Sequence, residues 1–187
     1  YWRYFMWNFA GRQNDIHSPS PGEIFYGNWE CGIKFIDSIR LGDQSNAPAV
    51  LSENKGKNHY YLLPLLLGVM GIFFQFERDK RGCWLTFLLF FMTGIAIVLY
   101  LNQPPYQVRE RDYAYAGSFY AFCIWIGLAV MALYEWIGGK LKDKYPAATA
   151  GVFTAACLFV PALMAQQNWD DHDRSNRRTA VEMARNY

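Results

Sequence analysis

Across 187 residues the chain is 52% hydrophobic and 18% aromatic, yet its mean hydropathy is only −0.07 because two populations average out. Its net charge of +2 comes from interspersed acids and bases with no long basic run, which gives no ground for a nucleic-acid-binding role. Residues 1–58 and 167–187 are polar or mixed. Residues 60–166 are apolar blocks divided by short charged loops, unlike the helix- or strand-period alternation of a soluble domain.

The opening Tyr1-Trp-Arg-Tyr-Phe-Met-Trp-Asn-Phe9 is dense in aromatics, which suit a membrane interface. It reads either as the tail of a preceding membrane helix or as a surface helix. Gly11–Asp15 turns away, and Ser18-Pro-Ser-Pro-Gly22 reads as a loop. From Cys31 to Ile39, apolar Ile33, Phe35, Ile36 and Ile39 fall near helix spacing among Lys34, Asp37 and Arg40, predicting a short amphipathic helix lying on the surface. Leu41–Asn58 reads as a polar linker.

Four apolar segments follow, at about 60–76, 84–101, 117–137 and 146–166, each near the length that crosses a bilayer. Pro64 falls in the first turn of the first, where proline is tolerated. Pro146 suits the start of the fourth. There, Ala147, Gly151 and Ala155 place small residues on one face, a pattern that favours close helix packing in lipid. The fold class is therefore an all-α membrane protein with four transmembrane helices. Residues 1–58 form an interfacial segment and loop, residues 59–166 the transmembrane domain, and residues 167–187 the start of a soluble domain. Tyr1 is not an initiator and no signal-peptide pattern is present, so the chain reads as a piece of a larger protein.

The short loops Glu77–Arg81 and Lys140–Lys144 are basic, which places them in the cytoplasm by the positive-inside bias. The loop 102–117 and both chain ends then lie on the opposite face. The four cysteines have no pairing or metal spacing. Cys83, Cys123 and Cys157 read as small apolar fillers and Cys31 as a stray thiol.

Tyr106-Gln-Val-Arg-Glu-Arg-Asp-Tyr-Ala-Tyr-Ala-Gly117 joins the second and third spans. Charge where hydrocarbon gives way to headgroups is costly unless paired or used, so Arg109, Glu110, Arg111 and Asp112 mark a site. Three polar groups can meet on that face: this loop, the Asn168–Arg174 tail and the Arg3–Asp15 segment. Arginine grips phosphate with a planar fork, and a neighbouring carboxylate can take a proton from a hydroxyl. A self-neutralised loop that merely pins two helices stays open beside this reading. Asp170-Asp171-His172-Asp173 has metal-ligand composition, but adjacent residues point different ways, and a solvated, helix-capping stretch fits better. His17 and His59 have no evident partner. There is no P-loop, GxGxxG or nucleophile elbow, and no cofactor or metal is called for.

Three motifs carry a family resemblance: Tyr4-Phe-Met-Trp-Asn-Phe-Ala-Gly-Arg-Gln-Asn-Asp15, the stretch from Leu101 to Ala121, and Asn168-Trp-Asp-Asp-His-Asp-Arg-Ser175. Together they resemble a bacterial membrane family long carried as a domain of unknown function and similar to protein O-mannosyltransferases of the GT-C type. The resemblance covers essentially the whole chain. It implies transfer of a sugar from a polyprenyl-phosphate carrier to a Ser or Thr hydroxyl of an exported protein, at the outer face of the bacterial inner membrane. It also implies that the catalytic acid lies in a first outer loop upstream of Tyr1. On this resemblance Arg109 and Arg111 contact the donor phosphate, oriented by Glu110 and Asp112, with Arg12, Asp170, His172 and Arg174 as secondary candidates. The alternative is a non-catalytic membrane scaffold or transporter module.

Overall fold

The computed structural model describes residues 1–14, 28–102, 111–172, 175 and 178–186. The protein is mostly helical. In chain order come α1 (Trp2–Phe9), β1 (Gly11–Arg12), α2 (Lys34–Leu41), the single turn α3 (Ala49–Ser52) and β2 (Asn58–His59). They are followed by α4 (Leu63–Arg78), α5 (Lys80–Met92), α6 (Ile95–Leu101), a 3₁₀ turn (Asp112–Tyr115), α7 (Ala116–Trp136), α8 (Gly139–Lys144), α9 (Pro146–His172) and α10 (Thr179–Asn186).

Three helical stretches are long and apolar enough to cross a membrane: Lys80–Leu101, Asp112–Trp136 and Pro146–Asp170. The segment expected at 60–76 is the helix α4, with Pro64 in its first turn. Its 16 residues rise about 24 Å, short of the roughly 30 Å of a hydrocarbon core. Asp79 breaks the chain between α4 and α5, and its carboxylate caps α5 by accepting from Gly82 N at 3.0 Å.

The core is aromatic and sits where α1, α4, α5 and α7 meet. Phe5 and Phe9 of α1 stand against Phe122 of α7, with centroids 4.9 and 4.5 Å apart, and Phe90 of α5 closes the group. Such pairs add to the burial of large ring area. α1 is thus an integral part of the bundle, with Phe5, Met6 and Phe9 buried. α4 and α7 approach so closely that a Cβ on Gly71 would fall 1.8 Å from the carbonyl oxygen of Trp125. Trp125 is buried, and its indole N–H donates to Gln75 Oε1 at 2.7 Å, satisfying a polar pair inside this seam.

α9 is attached differently. It runs six residues past the expected end at Gln166, with no Gly or Pro to stop it, so Asp170 lies on the helix, not in a capping loop. An acid at a helix C-terminus cannot serve as an N-cap, which corrects that expectation. Ala147, Gly151 and Ala155 are exposed, and nothing lies within 4 Å of a Cβ placed on Gly151. The small-residue stripe therefore forms no close helix contact among the described residues.

The two ends of the bundle are chemically sorted. At one, Arg78 pairs with Glu135, and Lys142 Nζ donates to the Glu135 carbonyl at 3.4 Å. At the other, Asn168 of α9 hydrogen-bonds Tyr60, and the Arg111 backbone N–H reaches Tyr4 Oη at 3.4 Å.

Candidate functional site

At that second end, β1 and β2 form a two-stranded antiparallel ribbon pairing Gly11 with His59 and Arg12 with Asn58. Gly11 has φ +133°, and a Cβ there would strike the Glu30 carbonyl at 2.3 Å and the Asn58 carbonyl at 2.6 Å. Only glycine fits this close approach. Side chains alternate across a strand, so Asn58 and Tyr60 point to one side of the ribbon while Lys57 and His59 point to the other.

On the Asn58 side lies a cavity of about 450 Å³. α1 contributes Trp7 and Asn8, β1 contributes Arg12, and Asn58 and Tyr60 form the floor. Asp112 comes from the loop before α7, and Met164, Ala165, Asn168, Trp169 and His172 come from α9. The three polar segments expected to meet do line one cavity.

The arrangement around it is well defined. Arg12 Nε donates to the Gly56 carbonyl at 2.8 Å, and its guanidinium lies 5.5 Å from the Trp7 ring, with Arg3 at 5.1 Å from the same ring. These are cation–π distances. Asn58 Nδ2 donates to Asn168 Oδ1 at 3.1 Å, and the His59 backbone N–H donates to Gln167 Oε1. The C-terminal end of α9 is therefore clasped to β2 by amide groups. His172 Nδ1 meets the Asn168 carbonyl at 3.0 Å, one helical turn back. Lys55 reaches Asp170 at 3.5 Å across an exposed surface, an ion pair of small energetic weight.

Of the expected phosphate contacts, Asp112 lines the cavity, while Arg111 is exposed and lies outside its described lining. Among the described residues no ion pair joins Arg111 to Asp112. Arg109, Glu110 and Arg174 lie outside the described residues. Arg12 and His172 are on the cavity wall, whereas Asp170 faces away into its pair with Lys55. Among the described residues no group of three or more His, Cys, Asp or Glu is placed to hold a metal ion.

The other side of the ribbon holds a cluster that the sequence did not reveal. Glu30, nearly buried, sits 3.1 Å from His59 Nε2 and 3.3 Å from Lys57 Nζ. His59 is therefore a partnered residue. Burial pushes the Glu30 carboxyl up, but the His59 hydrogen bond and the charges of His59 and Lys57 outweigh it and hold the group below the usual carboxylate value. Cys31, expected as a stray thiol, is fully buried beside Asp37. Burial, reinforced by the Asp37 charge, pushes this thiol up to about 11, which makes it unreactive at neutral pH. Only the alternation Lys57-Asn-His-Tyr-Tyr61 could have signalled a two-faced strand here.

No family model matches the chain, and no curated protein or solved structure matches it.

Proposed function

We propose that the chain is part of an integral-membrane glycosyltransferase of the GT-C type, moving a sugar from a polyprenyl-phosphate donor to a Ser or Thr hydroxyl of an exported protein. α4 completes a four-span bundle by thinning the local bilayer. The loop 102–117 and the ends of the chain face the periplasm of a bacterial inner membrane.

One observation carries this reading. Arg12, Asp112 and His172, together with Trp7 and Trp169, line a cavity that also takes in the amides of Asn8, Asn58 and Asn168, Tyr60, and the apolar Met164 and Ala165 of a candidate span. A cavity that joins an arginine and aromatic rings to an apolar wall suits an amphiphile with an anionic head. The Arg12 guanidinium grips phosphate oxygens, the amides of Asn8 and Asn58 meet hydroxyls, and an aromatic face stacks on a sugar ring. Asp112 is the acidic group of the described cavity lining, and it orients a head group without being assigned as the base. The resemblance of the three motifs to the O-mannosyltransferase-like family supports the same direction.

The test uses the full-length protein in lipid, with lipid-linked sugar turnover and protein level both measured. Arg12→Ala, Arg109→Ala and Arg111→Ala are each expected to cut turnover about tenfold or more at unchanged protein level, the scale of a lost charge-assisted hydrogen bond. Unchanged turnover in all three removes these residues from the mechanism. Absence of sugar transfer by the complete wild-type chain favours the scaffold reading.

A further inference from the structure

The Glu30 side of the ribbon opens on a second cavity, of about 370 Å³. Its lining includes Lys34 and Asp37 of α2, Asp43 from the turn after α2, Lys57 and His59 at β2, and Glu30. The wall at β2 is fixed from behind. Glu30, 7% exposed, faces His59 Nε2 with one carboxylate oxygen and Lys57 Nζ with the other. Gly32, with φ +88°, backs the His59 ring so closely that a Cβ there would fall 2.8 Å from His59 Cβ. A nearly buried carboxylate is costly unless its partners are well placed, and here it holds both partners on the cavity wall.

A count of donors and acceptors shows what the cavity lacks. Three acids face it, and each already has internal donors. Asp37 accepts from the Cys31 backbone N–H at 3.0 Å with one oxygen and from Gly32 N at 2.8 Å with the other. Asp43 accepts from Ser45 N and Ser45 Oγ, both at 2.9 Å. Glu30 is held by Lys57 and His59, and the charge of Arg40 acts on both Asp37 and Glu30. The donors are not used up in this way. Exposed Lys34 has no hydrogen bond or ion pair among the described residues. Lys57 has three N–H groups and turns toward one carboxylate oxygen. The lining is thus short of acceptors, and an oxygen-rich anion would supply them.

We propose that this cavity is a seat for a phosphomonoester, separated by the ribbon from the Arg12 cavity. Lysine holds phosphate as a point charge and not as a planar fork. Lys34 and Lys57 stand on different elements and reach the same space from different directions, which suits a tetrahedral oxyanion better than a flat carboxylate. With Nε2 of His59 turned to Glu30, its Nδ1 accepts from a protonated phosphate oxygen or, when the ring is charged, donates to an ionised one. The phosphate comes either from a soluble monoester or from a lipid head group at the bilayer surface. The seat depends neither on sugar transfer nor on what occupies the Arg12 cavity.

The test is calorimetric titration of inorganic phosphate into the full-length protein carrying Arg12→Ala, in phosphatidylcholine nanodiscs, so that the Arg12 cavity does not contribute. The expected result is one saturable site whose Kd rises about tenfold or more on adding Lys34→Met and returns to within about twofold with Lys34→Arg, at unchanged unfolding midpoints. Absence of saturable binding, or a Kd that Lys34→Met leaves unchanged, overturns the seat. Nanodiscs containing phosphatidic acid, compared with phosphatidylserine at matched surface charge, identify the source. Competition by phosphatidic acid supports the seat with a lipid phosphate as its ligand, and equal phosphate binding in the two supports it with a soluble monoester.

Discussion

α7 and α9 are both apolar and of spanning length, yet they are held in opposite ways. α7 is packed: Ala121, Phe122, Trp125, Ala129 and Ala132 are buried against α4, α5 and α1, and glycine lets the α4 backbone touch it. α9 is clasped: among its described residues Thr149 and Val160 are buried, and its C-terminal end is held by the amides of Gln167 and Asn168 on β2. Dense packing specifies position and tolerates little change in volume. Beyond its end contacts α9 has only a light seam on α7, so it leaves most of its long apolar sides for lipid or another helix and keeps a polar end to wall a cavity. The cavity is walled by α9 on one side and by α1, the ribbon and Asp112 on the other.

This contrast can be broken most directly by adding the same side chain to both helices' contacts. Gly71→Val would drive a side chain into the Trp125 carbonyl and is expected to cost about 3 kcal/mol, read as a fall in the unfolding midpoint in detergent. Gly151→Val on α9 meets open space and is expected to stay within about 0.5 kcal/mol of wild type. Equal costs at the two positions would erase the distinction between packed and clasped helices. Gln75→Leu strands the buried Trp125 indole N–H, for an expected loss of about 1–3 kcal/mol in the same assay.

Asn168→Ala sharpens the other side of the comparison. It removes the bonds to Asn58 and Tyr60, for an expected loss of about 1 kcal/mol. It is also expected to speed hydrogen exchange at the His59 amide while leaving the α4 and α7 amides protected. Uniform acceleration would mean that α9 is part of the main cooperative unit. The smallest effect is expected from Glu30→Gln. Because the folded Glu30 titrates below its usual 4.5, its stabilising contribution is present above that value and fades as pH falls through the lowered one. The substitution should flatten the acid limb of stability against pH and leave the neutral plateau nearly level, as followed by thermal unfolding between pH 3 and 7.

Much of the architecture was legible because lipid solvation writes in long apolar blocks. The expected spans 84–101, 117–137 and 146–166 fall on the three long apolar helical stretches, although the first is divided at Thr93–Gly94 into α5 and α6 and the last runs six residues further, and the meeting of the Arg3–Asp15, Asp112 and Asn168 segments follows from their place at the same ends of spans. What escaped reading depended on contacts between distant positions. Glu30 and His59 meet only because Gly11, with no side chain, lies between the Glu30 segment and β2. The burial of Cys31 depends on Asp37 folding back to cap its backbone. Pro64 gave the start of α4 correctly, but local pattern could not tell that Asp79 would end the helix before it reached spanning length. The stripe Ala147–Gly151–Ala155 misled because small residues permit close packing without requiring a partner.

The central claim is that Arg12 and the segments around it form a seat for an anionic lipid head. Its most direct test is the binding isotherm of polyprenyl phosphate to the full-length protein in nanodiscs, for wild type, Arg12→Ala and Arg12→Lys. The account predicts a Kd raised roughly ten- to a hundredfold by Arg12→Ala, equivalent to one lost charge-assisted bond, and a smaller rise for Arg12→Lys, with unfolding midpoints unchanged. Equal affinity in all three proteins would contradict it.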